Sequence, residues 1–280
     1  YSSDTYIYNL GDGNDTIVDY DGGYAKADKL VFGEGIKPSD IAFRRIGAHL
    51  IFVVTNSATG EESTITLENA ATSSLYRIEA LHFADGSIID GDLFASLEVQ
   101  GTSGDDVMVG INESEVMRGF AGNDTLSGGL GDDTLDGGAG DDLLTIGSTS
   151  SSVRYNTNTF IGGTGNDRMV GGYSSDTYIY NLGDGNDTIV DYDGGYATAD
   201  KLVFGEGISQ ADISLLANGD DLVVQVTDPV TGAVSTITIE KAVNSSLNKL
   251  ESMEFNDGTV VEGDWITHFG IEQHGTAEDD

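Results

Sequence analysis

The sequence predicts an all-β fold in which coils of short parallel strands alternate with modules of antiparallel strands. Two observations predict it. Three-residue pieces with a central apolar residue recur every nine residues between glycine-rich turns, as in GFAGNDTLS, GGLGDDTLD and GGAGDDLLT at 119–145, and such pieces are typical of short strands. Longer segments within 37–100 and 209–274 alternate apolar and polar residues, as in HLIFVVT and DLVVQVT, which is typical of antiparallel strands.

The chain is built from a long tandem repeat. Residues 1–36 recur at 173–208 with one difference, Lys26 against Thr198, so the repeat unit is 172 residues long. The final HGTAEDD resembles QGTSGDD at 100–106, which indicates that a third unit begins there. The fragment is therefore expected to cover about one and a half units of a longer array.

The repeat and the change in texture divide the chain into five segments. They are the end of a first coil region at 1–36, an antiparallel module at 37–100, a complete coil region at 101–208, a second antiparallel module at 209–274 and the start of a next repeat at 275–280. Residues 146–161 break the nine-residue register, since IGSTSSSVR carries no carboxylate. We expect a protruding loop over 146–161.

The composition excludes several classes of partner. Among 280 residues, 48 are acidic and 12 are basic, giving a net charge of −36, so nucleic acid and anionic membranes would be repelled. No apolar run reaches the roughly 18 residues of a membrane span, so direct membrane insertion is not expected. The chain has no cysteine, and it therefore needs a staple other than a disulfide.

The nine-residue spacing brings carboxylates together. If each glycine-rich turn reverses the chain and each apolar piece adds a strand, like-sided turns stack about 4.8 Å apart. Asp124 would then lie between Asp106 and Asp142 on one side of the coil, with Asp133 on the other. Two carboxylates about 5 Å apart repel by roughly 3 kcal/mol. The stack therefore requires something that neutralises it.

Calcium explains both the aspartates and the glycines. Residues 101–145 hold ten acidic residues and one base, Arg118, so ion pairs within the segment cannot balance the charge. Ca2+ takes six to eight oxygen ligands and accepts backbone carbonyls beside carboxylates. Glycine lets those carbonyls approach closely and tolerates positive φ in the turn. The sequence therefore predicts several Ca2+ ions as cofactors of folding.

The motifs resemble a known family. GFAGNDTLS, GGLGDDTLD, GGAGDDLLT and GGTGNDRMV are similar to the repeats-in-toxin (RTX) nonapeptide, a calcium-binding repeat. FGEGIKPSDIAFRR and IEALHFADGSI resemble the haemolysin-type calcium-binding-related module that often follows such repeats. The resemblance implies a parallel β-roll with Ca2+ between like-sided turns. It also implies export through a type I secretion channel in an unfolded state, followed by folding outside the cell.

The resemblance assigns ligands to positions of the nonapeptide frame. The implied carboxylate ligands occupy its sixth position: Asp106, Asp124, Asp133, Asp142, Asp167, Asp176, Asp187 and Asp200, with Asp4, Asp15 and Asp28 in the first copy. The implied carbonyl ligands belong to turn glycines: Gly119, Gly122, Gly128, Gly131, Gly137, Gly140, Gly162 and Gly165. GINESEVMR departs from the frame, since Glu113 replaces a glycine and Glu115 replaces the aspartate. That departure weakens the site expected there.

Other candidate sites have simpler interpretations. The motif DYDGG begins at Asp19 in the first copy and at Asp191 in the second. It resembles the start of an EF-hand calcium loop, but the spacing of its residues does not match that loop. A solvated loop is expected instead. The histidines are scattered without a zinc-binding spacing. The motif DTYIYN contains Tyr6 and Tyr8 in the first copy and Tyr178 and Tyr180 in the second. Either these rings present aromatic faces to sugars, or one of each pair belongs to the core and the other covers a sheet.

These features favour a structural function over catalysis. The sequence contains no nucleophile-elbow, phosphate-loop or dinucleotide-binding motif. We expect a calcium-dependent extender module of an extracellular or cell-surface RTX adhesin, with calcium ions, neighbouring tandem repeats and cell-surface glycans as partners. The alternative is a non-catalytic accessory module of a secreted enzyme or toxin.

Overall fold

The computed structural model describes residues 3–20, 28–46, 49–70, 78–90, 98–110, 114–147, 156–192, 199–245, 248, 250–263, 265–270 and 272–273. The chain forms two compact units, Tyr1–Gly101 and Thr102–Asp280. Both consist almost entirely of β-strands, as the sequence predicts. No helix among the described residues is long and apolar enough to cross a membrane. The predicted next repeat at 275–280 lies outside the described residues.

The described part of the first unit contains nine strands and one short 3-10 turn, Pro38–Asp40. The strands are β1 (Thr5–Tyr8), β2 (Asp15–Ile17), β3 (Lys29–Phe32), β4 (Ile41–Ile46), β5 (His49–Thr55), β6 (Glu62–Leu67), β7 (Ala80–His82), β8 (Ile88–Asp90) and β9 (Glu98–Gln100). β1 to β8 build two sheets, with the strand orders β1-β3-β7-β8 and β2-β6-β5-β4.

The second unit contains the longer run of strands, a 3-10 turn at Gln210–Asp212 and one short helix, α1 (Trp265–Phe269). Its coil strands are β10 (Val107–Val109), β11 (Val116–Ala121), β12 (Thr125–Ser127), β13 (Thr134–Ala139), β14 (Leu143–Thr145), β15 (Thr157–Thr164), β16 (Arg168–Val170), β17 (Ser175–Tyr180), β18 (Asp187–Val190) and β19 (Lys201–Phe204). Its later strands are β20 (Ile213–Asn218), β21 (Asp221–Thr227), β22 (Val234–Ile239), β23 (Ser252–Glu254), β24 (Val260–Glu262) and β25 (Glu272–Gln273).

Successive coil strands of the second unit alternate between two parallel sheets. One sheet has the order β10-β12-β14-β16-β18 and the other has the order β11-β13-β15-β17-β19. Leu126 pairs with Met108 on one side and Leu144 on the other, so equivalent residues of successive coils are neighbours. This is the parallel coil that the nine-residue spacing predicts. The strands of the second sheet are longer than three residues, because β11 and β13 continue into the glycine turn.

The core of the coil is the row of apolar residues at the centre of each strand. Every apolar residue that the spacing places there is buried: Met108, Met117, Leu126, Leu135, Leu144, Met169, Tyr178, Ile189 and Leu202. Their neighbours on the same strand are more exposed, as the alternation of a strand requires. The two sheets therefore face each other across one continuous apolar interior.

The antiparallel segments extend the two parallel sheets rather than forming a separate layer. Strands β20, β21 and β22 form an antiparallel meander, and β22 pairs in parallel with β18 through Ile189 and Ile239. The hairpin of β23 and β24 joins the other sheet, where Met253 pairs with Leu202. The first unit repeats both junctions, β2 to β6 and β3 to β7. The sequence predicts the antiparallel strands but not these parallel junctions.

The loop predicted at 146–161 is too long. Residues 157–161 belong to β15, which pairs with β13 and β17, and Phe160 is buried in the core. Asn158 takes the place of the frame's aspartate, two residues before the apolar Phe160, so NTNTFIGGT continues the coil without a carboxylate. Residues 148–155 lie outside the described residues.

The tyrosines of DTYIYN are core residues. Tyr8, Tyr178 and Tyr180 are at most 2% exposed, and the ring of Tyr178 stacks on Phe160 with their centroids 5.1 Å apart. Tyr6 is partly buried, and its hydroxyl donates a hydrogen bond to Asp19. The interpretation that Tyr178 presents an aromatic face to sugars is therefore wrong.

Close stacking of coils predicts a specific sensitivity at Gly140. Its φ is +137°, and an added Cβ would overlap the carbonyl oxygen of Gly122 in the coil before it. Gly183 also has a positive φ, +94°, but faces open space. Gly183→Ala should cost about 1 kcal/mol of strain, and Gly140→Ala roughly 3 kcal/mol because overlap adds to strain. Urea unfolding of the calcium-loaded protein, followed by circular dichroism, measures both; equal losses would contradict the close stacking.

Candidate metal centre

The sixth-position residues of successive coils stack into two columns. The first column is Asp106, Asp124, Asp142, Asp167 and Asp187. Within it, the backbone N–H of each residue donates to Oδ1 of the next: Asp124 to Asp142 at 2.7 Å and Asp142 to Asp167 at 2.8 Å. The coil geometry thus orients every carboxylate through one oxygen and leaves the other oxygen directed elsewhere.

The second column includes residues that the sequence motif does not identify. It contains Glu115, Asp133, Asn158, Asp176 and Asp200. The N–H of Glu115 donates to Asp133 Oδ1 at 3.0 Å, so Glu115 holds the aspartate's place in the departing repeat. The N–H of Asp133 donates to Asn158 Oδ1 at 3.0 Å. A motif that allows asparagine at the sixth position, two residues before an apolar residue, identifies Asn158 in the sequence.

Four buried carboxylates of the two columns carry an oxygen with no hydrogen-bond donor among the described residues. These atoms are Oδ2 of Asp124, Asp133, Asp142 and Asp167. Each of the four residues is at most 3% exposed. A buried charged oxygen without a partner is strongly destabilising. Its repetition at one position of the frame indicates that a ligand outside the chain satisfies it.

The glycine two residues after the central apolar residue of a coil strand leaves room beside that oxygen. A Cβ added at Gly137 would overlap Asp142 Oδ2 and lie against the carbonyl oxygen of Gly162. Gly119 stands in the same relation to Asp124 Oδ2 and the Gly137 carbonyl. A carboxylate oxygen and a carbonyl oxygen from the next coil therefore meet at a space that only glycine leaves open. Hard oxygen donors of both kinds suit Ca2+.

The remaining predicted glycines fall into two groups. At Gly128 and Gly162 an added Cβ would likewise overlap Oδ2 of Asp133 and of Asp167. The other group has positive φ and turns the chain between strands: Gly122, Gly131, Gly140 and Gly165. Their carbonyl oxygens stay predicted ligands.

Burial raises the pKa of the column carboxylates. The pKa is raised to about 7 for Asp133, Asp142 and Asp187 and to about 6 for Asp167. Burial is the main cause, and for Asp142 the charges of Asp167 and Asp124 add to it. Hydrogen bonds from backbone N–H groups act in the opposite direction and are too weak to cancel the effect of burial. The metal-free columns therefore favour protonated carboxyls.

Three predicted carboxylates differ from these. Oδ2 of Asp106 accepts hydrogen bonds from Thr102 N–H at 2.6 Å and Thr102 Oγ1 at 2.9 Å in an exposed turn. Asp176 accepts side-chain donors from Asn158 and Ser174. Asp15 is exposed whereas its counterpart in the second copy, Asp187, is buried. The coil of 162–170 covers Asp187, and no coil in the described part of the first unit covers Asp15.

The other predicted carboxylates belong to two clusters of three. Asp4 and Asp28 meet Asp19, and Asp176 and Asp200 meet Asp191, with one carboxylate oxygen from each residue within 4.8 Å of the others. Asp19 and Asp191 are 8% and 2% exposed. The interpretation of these two residues as part of a solvated loop is therefore wrong.

The raised pKa values predict that the calcium-free protein becomes more stable as the pH falls. A carboxyl whose pKa is higher in the folded state than in the unfolded state destabilises the fold when it is ionised. For Asp133 this destabilisation is complete above pH about 7, and it disappears as the pH falls toward the unfolded-state pKa of about 3.9. Asp85 and Asp228 are exposed, and hydrogen bonds from Ser87 and Thr231 lower their pKa values. The titration of these two carboxyls therefore affects stability only at a pH below about 4. The β-sheet circular dichroism signal of the metal-stripped protein should therefore increase as the pH is lowered from about 8 to about 5; a signal that decreases over this range would contradict the burial of the columns.

Comparisons with known proteins agree with the site. The profile of the RTX calcium-binding nonapeptide repeat (4 copies) matches residues 113–148 and 155–189. The profile of the haemolysin-type calcium binding protein related domain matches residues 49–92. The nonapeptide match covers most of the coils that carry the columns but not Asp106 or Asp200, and the second match covers antiparallel strands of the first unit.

Two longer proteins also resemble the chain. The iron-regulated protein FrpA of Neisseria meningitidis serogroup C is 30% identical over 102 residues, which are 36% of this chain and 9% of that protein. The extracellular lipase LipA of Serratia marcescens covers 86% of this chain with 18% identity and a TM-score of 0.30, over 35% of its own length. The chain thus spans a small part of each. Repeats of the matched kind bind Ca2+ at several sites. The chain therefore carries RTX haemolysin-type calcium-binding nonapeptide repeats together with the related domain that accompanies them.

Proposed function

We propose that the chain is a calcium-dependent extender module of an extracellular RTX adhesin or similar surface protein. It leaves the cell through a type I secretion system and folds when it meets Ca2+ outside. The observation that carries the proposal is the set of buried Oδ2 atoms without donors, each beside a glycine that leaves room for a cation. RTX repeat proteins are typically secreted, which suits a protein whose fold needs external calcium.

The ligands lie in the two columns. Oδ2 of Asp124, Asp142 and Asp167 serves the first column, and Oδ2 of Asp133 serves the second. The carbonyl oxygens of the glycines two residues after the central apolar residues complete the donor sets, as at Gly137 and Gly162. When bound, Ca2+ supplies the positive charge that these oxygens lack.

The chain's own residues make folding conditional on that charge. Backbone N–H groups hold Oδ1 of each column carboxylate one coil away, so forming the coil places the carboxylates in line before they are neutralised. Without a cation the aligned charges and the unsatisfied oxygens oppose folding. Low calcium inside a cell therefore favours the unfolded, exportable chain, and high calcium outside favours the coil.

A structural role fits the repeat architecture. The same coil end, parallel junction and antiparallel meander occur twice at an offset of 172 residues. RTX repeat domains are generally non-catalytic, and the column carboxylates are held by backbone ladders rather than arranged around a substrate pocket. Further units of this length in the parent reading frame would support the extender. A catalytic domain beside the chain would favour the accessory role in a secreted enzyme or toxin.

Calcium should fold the metal-stripped protein. Titrating Ca2+ at pH about 8.5, above the raised pKa of about 7 of Asp133, Asp142 and Asp187, should increase the β-sheet circular dichroism signal in a cooperative transition. Cooperativity is expected because neighbouring coils share ligands. Mg2+, which demands a tighter octahedral shell, should act weakly at the same concentration. A spectrum that Ca2+ leaves unchanged would overturn the proposal.

Asp142 should bind calcium through its side chain. Asp142→Asn retains Oδ1 as an acceptor for Asp124 N–H but removes the negative charge. The variant should therefore bind fewer ions. At a Ca2+ concentration of 100 times the dissociation constant, it should lose about 2.7 kcal/mol of calcium-dependent stability. Asp141→Asn is the matched control, since exposed Asp141 accepts a hydrogen bond from Asn166 N–H outside the columns. Calorimetric titration measures the ion count. Equal counts in both variants would remove Asp142 from the ligand set.

A further inference from the structure

Asn158 and Ser174 depart from the nonapeptide frame in two neighbouring turns of the second column. Asn158 stands where the frame has aspartate, and Ser174 stands where the frame has its fourth-position glycine, as at Gly140 and Gly165. Both side chains are buried. We propose that a hydrogen-bonded clasp of Asn158, Ser174 and Asp176 closes these two turns without a metal ion. This assignment rests on the proposed function, in which other positions of the columns hold Ca2+.

The side-chain amide of Asn158 presents a donor where a column aspartate presents an acceptor. Oδ1 of Asn158 accepts the N–H of Asp133 at 3.0 Å, just as Oδ1 of Asp142 accepts the N–H of Asp124. The second oxygen of Asp142 has no donor among the described residues, whereas the equivalent atom of Asn158 is Nδ2. An amide N–H group donates hydrogen bonds and is not a ligand for Ca2+. The position beside Asn158 therefore lacks the carboxylate oxygen that a column ion needs.

The amide and the hydroxyl of the clasp point toward one carboxylate. Nδ2 of Asn158 donates to Ser174 Oγ at 3.0 Å and to Asp176 Oδ1 at 2.9 Å. The Ser174 hydroxyl lies 2.9 Å from Asp176 Oδ1 and 3.1 Å from Asp176 Oδ2, and it donates its hydrogen to that carboxylate. These partners fix the orientation of the amide, because a reversed amide would set its oxygen against the carboxylate. The clasp therefore uses both N–H groups of the Asn158 side chain.

The clasp satisfies Asp176 on the side that faces Asn158. Asp176 is completely buried, yet neither of its oxygens is without a donor, in contrast to Oδ2 of Asp133 and of Asp167. Hydrogen bonds to the charged form stabilise a buried carboxylate. The unsatisfied oxygen that indicates a cation elsewhere in the columns is therefore replaced here by contacts within the chain.

The strands bring the three side chains together in register. Asn158 on β15 and Asp176 on β17 are direct partners in the parallel pairing of these strands. Ser174 lies just before β17, and it does not share the positive φ of Gly140 (+137°) and Gly165 (+145°). A serine avoids positive φ, so this turn follows a backbone path of its own and brings a hydroxyl to Asp176. The two departures from the frame thus complement each other.

The clasp gives the calcium-dependent coil one position that closes without metal. Two carboxylates that face each other across neighbouring turns repel and need a cation between them. Asn158 faces Asp176 with neutral donors, so no second negative charge is present at this position. β15 can therefore pair with β17 at a calcium concentration too low to fill the columns. Asn158 is in this sense the residue that decides whether its turn requires metal.

The first test converts the donor into a carboxylate oxygen. Asn158→Asp should bind one Ca2+ more per chain than the control Asn123→Asp, measured by equilibrium dialysis and atomic emission on the full chain. Exposed Asn123 is matched, because its Oδ1 also accepts a backbone N–H from a neighbouring coil, that of Asp141 at 2.9 Å. An equal count with a higher calcium midpoint of folding would retain the clasp, since two buried carboxylates would then face each other without a cation. An equal count with an unchanged or lower midpoint would overturn the clasp, because an ion would already lie beside Asn158.

A milder variant covers the case in which Asn158→Asp fails to fold. Ser174→Ala removes the hydroxyl but no charge, and Ser103→Ala is the control in an exposed turn. Both should bind as many ions as the unchanged protein, while amide hydrogen exchange in β15 and β17 should be roughly tenfold faster in the Ser174 variant. The loss of an ion in that variant would make the hydroxyl a metal ligand and overturn the clasp, as would exchange equal to the control. An unchanged protein that binds no calcium would instead overturn the proposed function, and the exchange comparison would still test the clasp.

Discussion

The structure depends on how a coil of short strands buries a carboxylate in every turn. One oxygen of each buried aspartate is satisfied by the backbone N–H of the coil before it, as between Asp124 and Asp142. In Asp124, Asp133, Asp142 and Asp167 the second oxygen has no donor among the described residues. The backbone therefore aligns the negative charges but cannot neutralise them. A cation with a preference for oxygen resolves both the charge and the unsatisfied atom.

This constraint explains the composition of the repeats. The glycine two residues after the central apolar residue is required because a side chain there would fill the space beside Oδ2, as at Gly137. The turn glycines, such as Gly140, allow successive coils to stack without overlap. The central apolar residues close the interior between the two sheets. At the end of the coil, β22 pairs in parallel with β18, and β23 pairs in parallel with β19. The two sheets become antiparallel only beyond these strands, so the last strands of the coil are covered.

Much of this architecture follows from sequence spacing, because a coil repeats its geometry at fixed intervals. The buried row from Met108 to Leu202 and the column positions of Asp124, Asp133 and Asp142 are predicted from spacing. The strand at 157–164 is not predicted, because Asn158 supplies the acceptor oxygen that the ladder needs without the charge that marks the motif. The burial of Asp191 is not predicted either, since it results from contacts with residues 9 and 15 positions away, Asp200 and Asp176. Glu251 joins the second column from a strand 51 residues later. Contacts of this range have no local signature.

The most direct measurement is the position of calcium in crystals grown in millimolar Ca2+, located by anomalous scattering. The account predicts peaks beside Oδ2 of Asp124, Asp133, Asp142 and Asp167, each also contacted by a glycine carbonyl from the next coil. Folded coils with only water at those oxygens would contradict the claim that divalent cations hold the stacked carboxylates together.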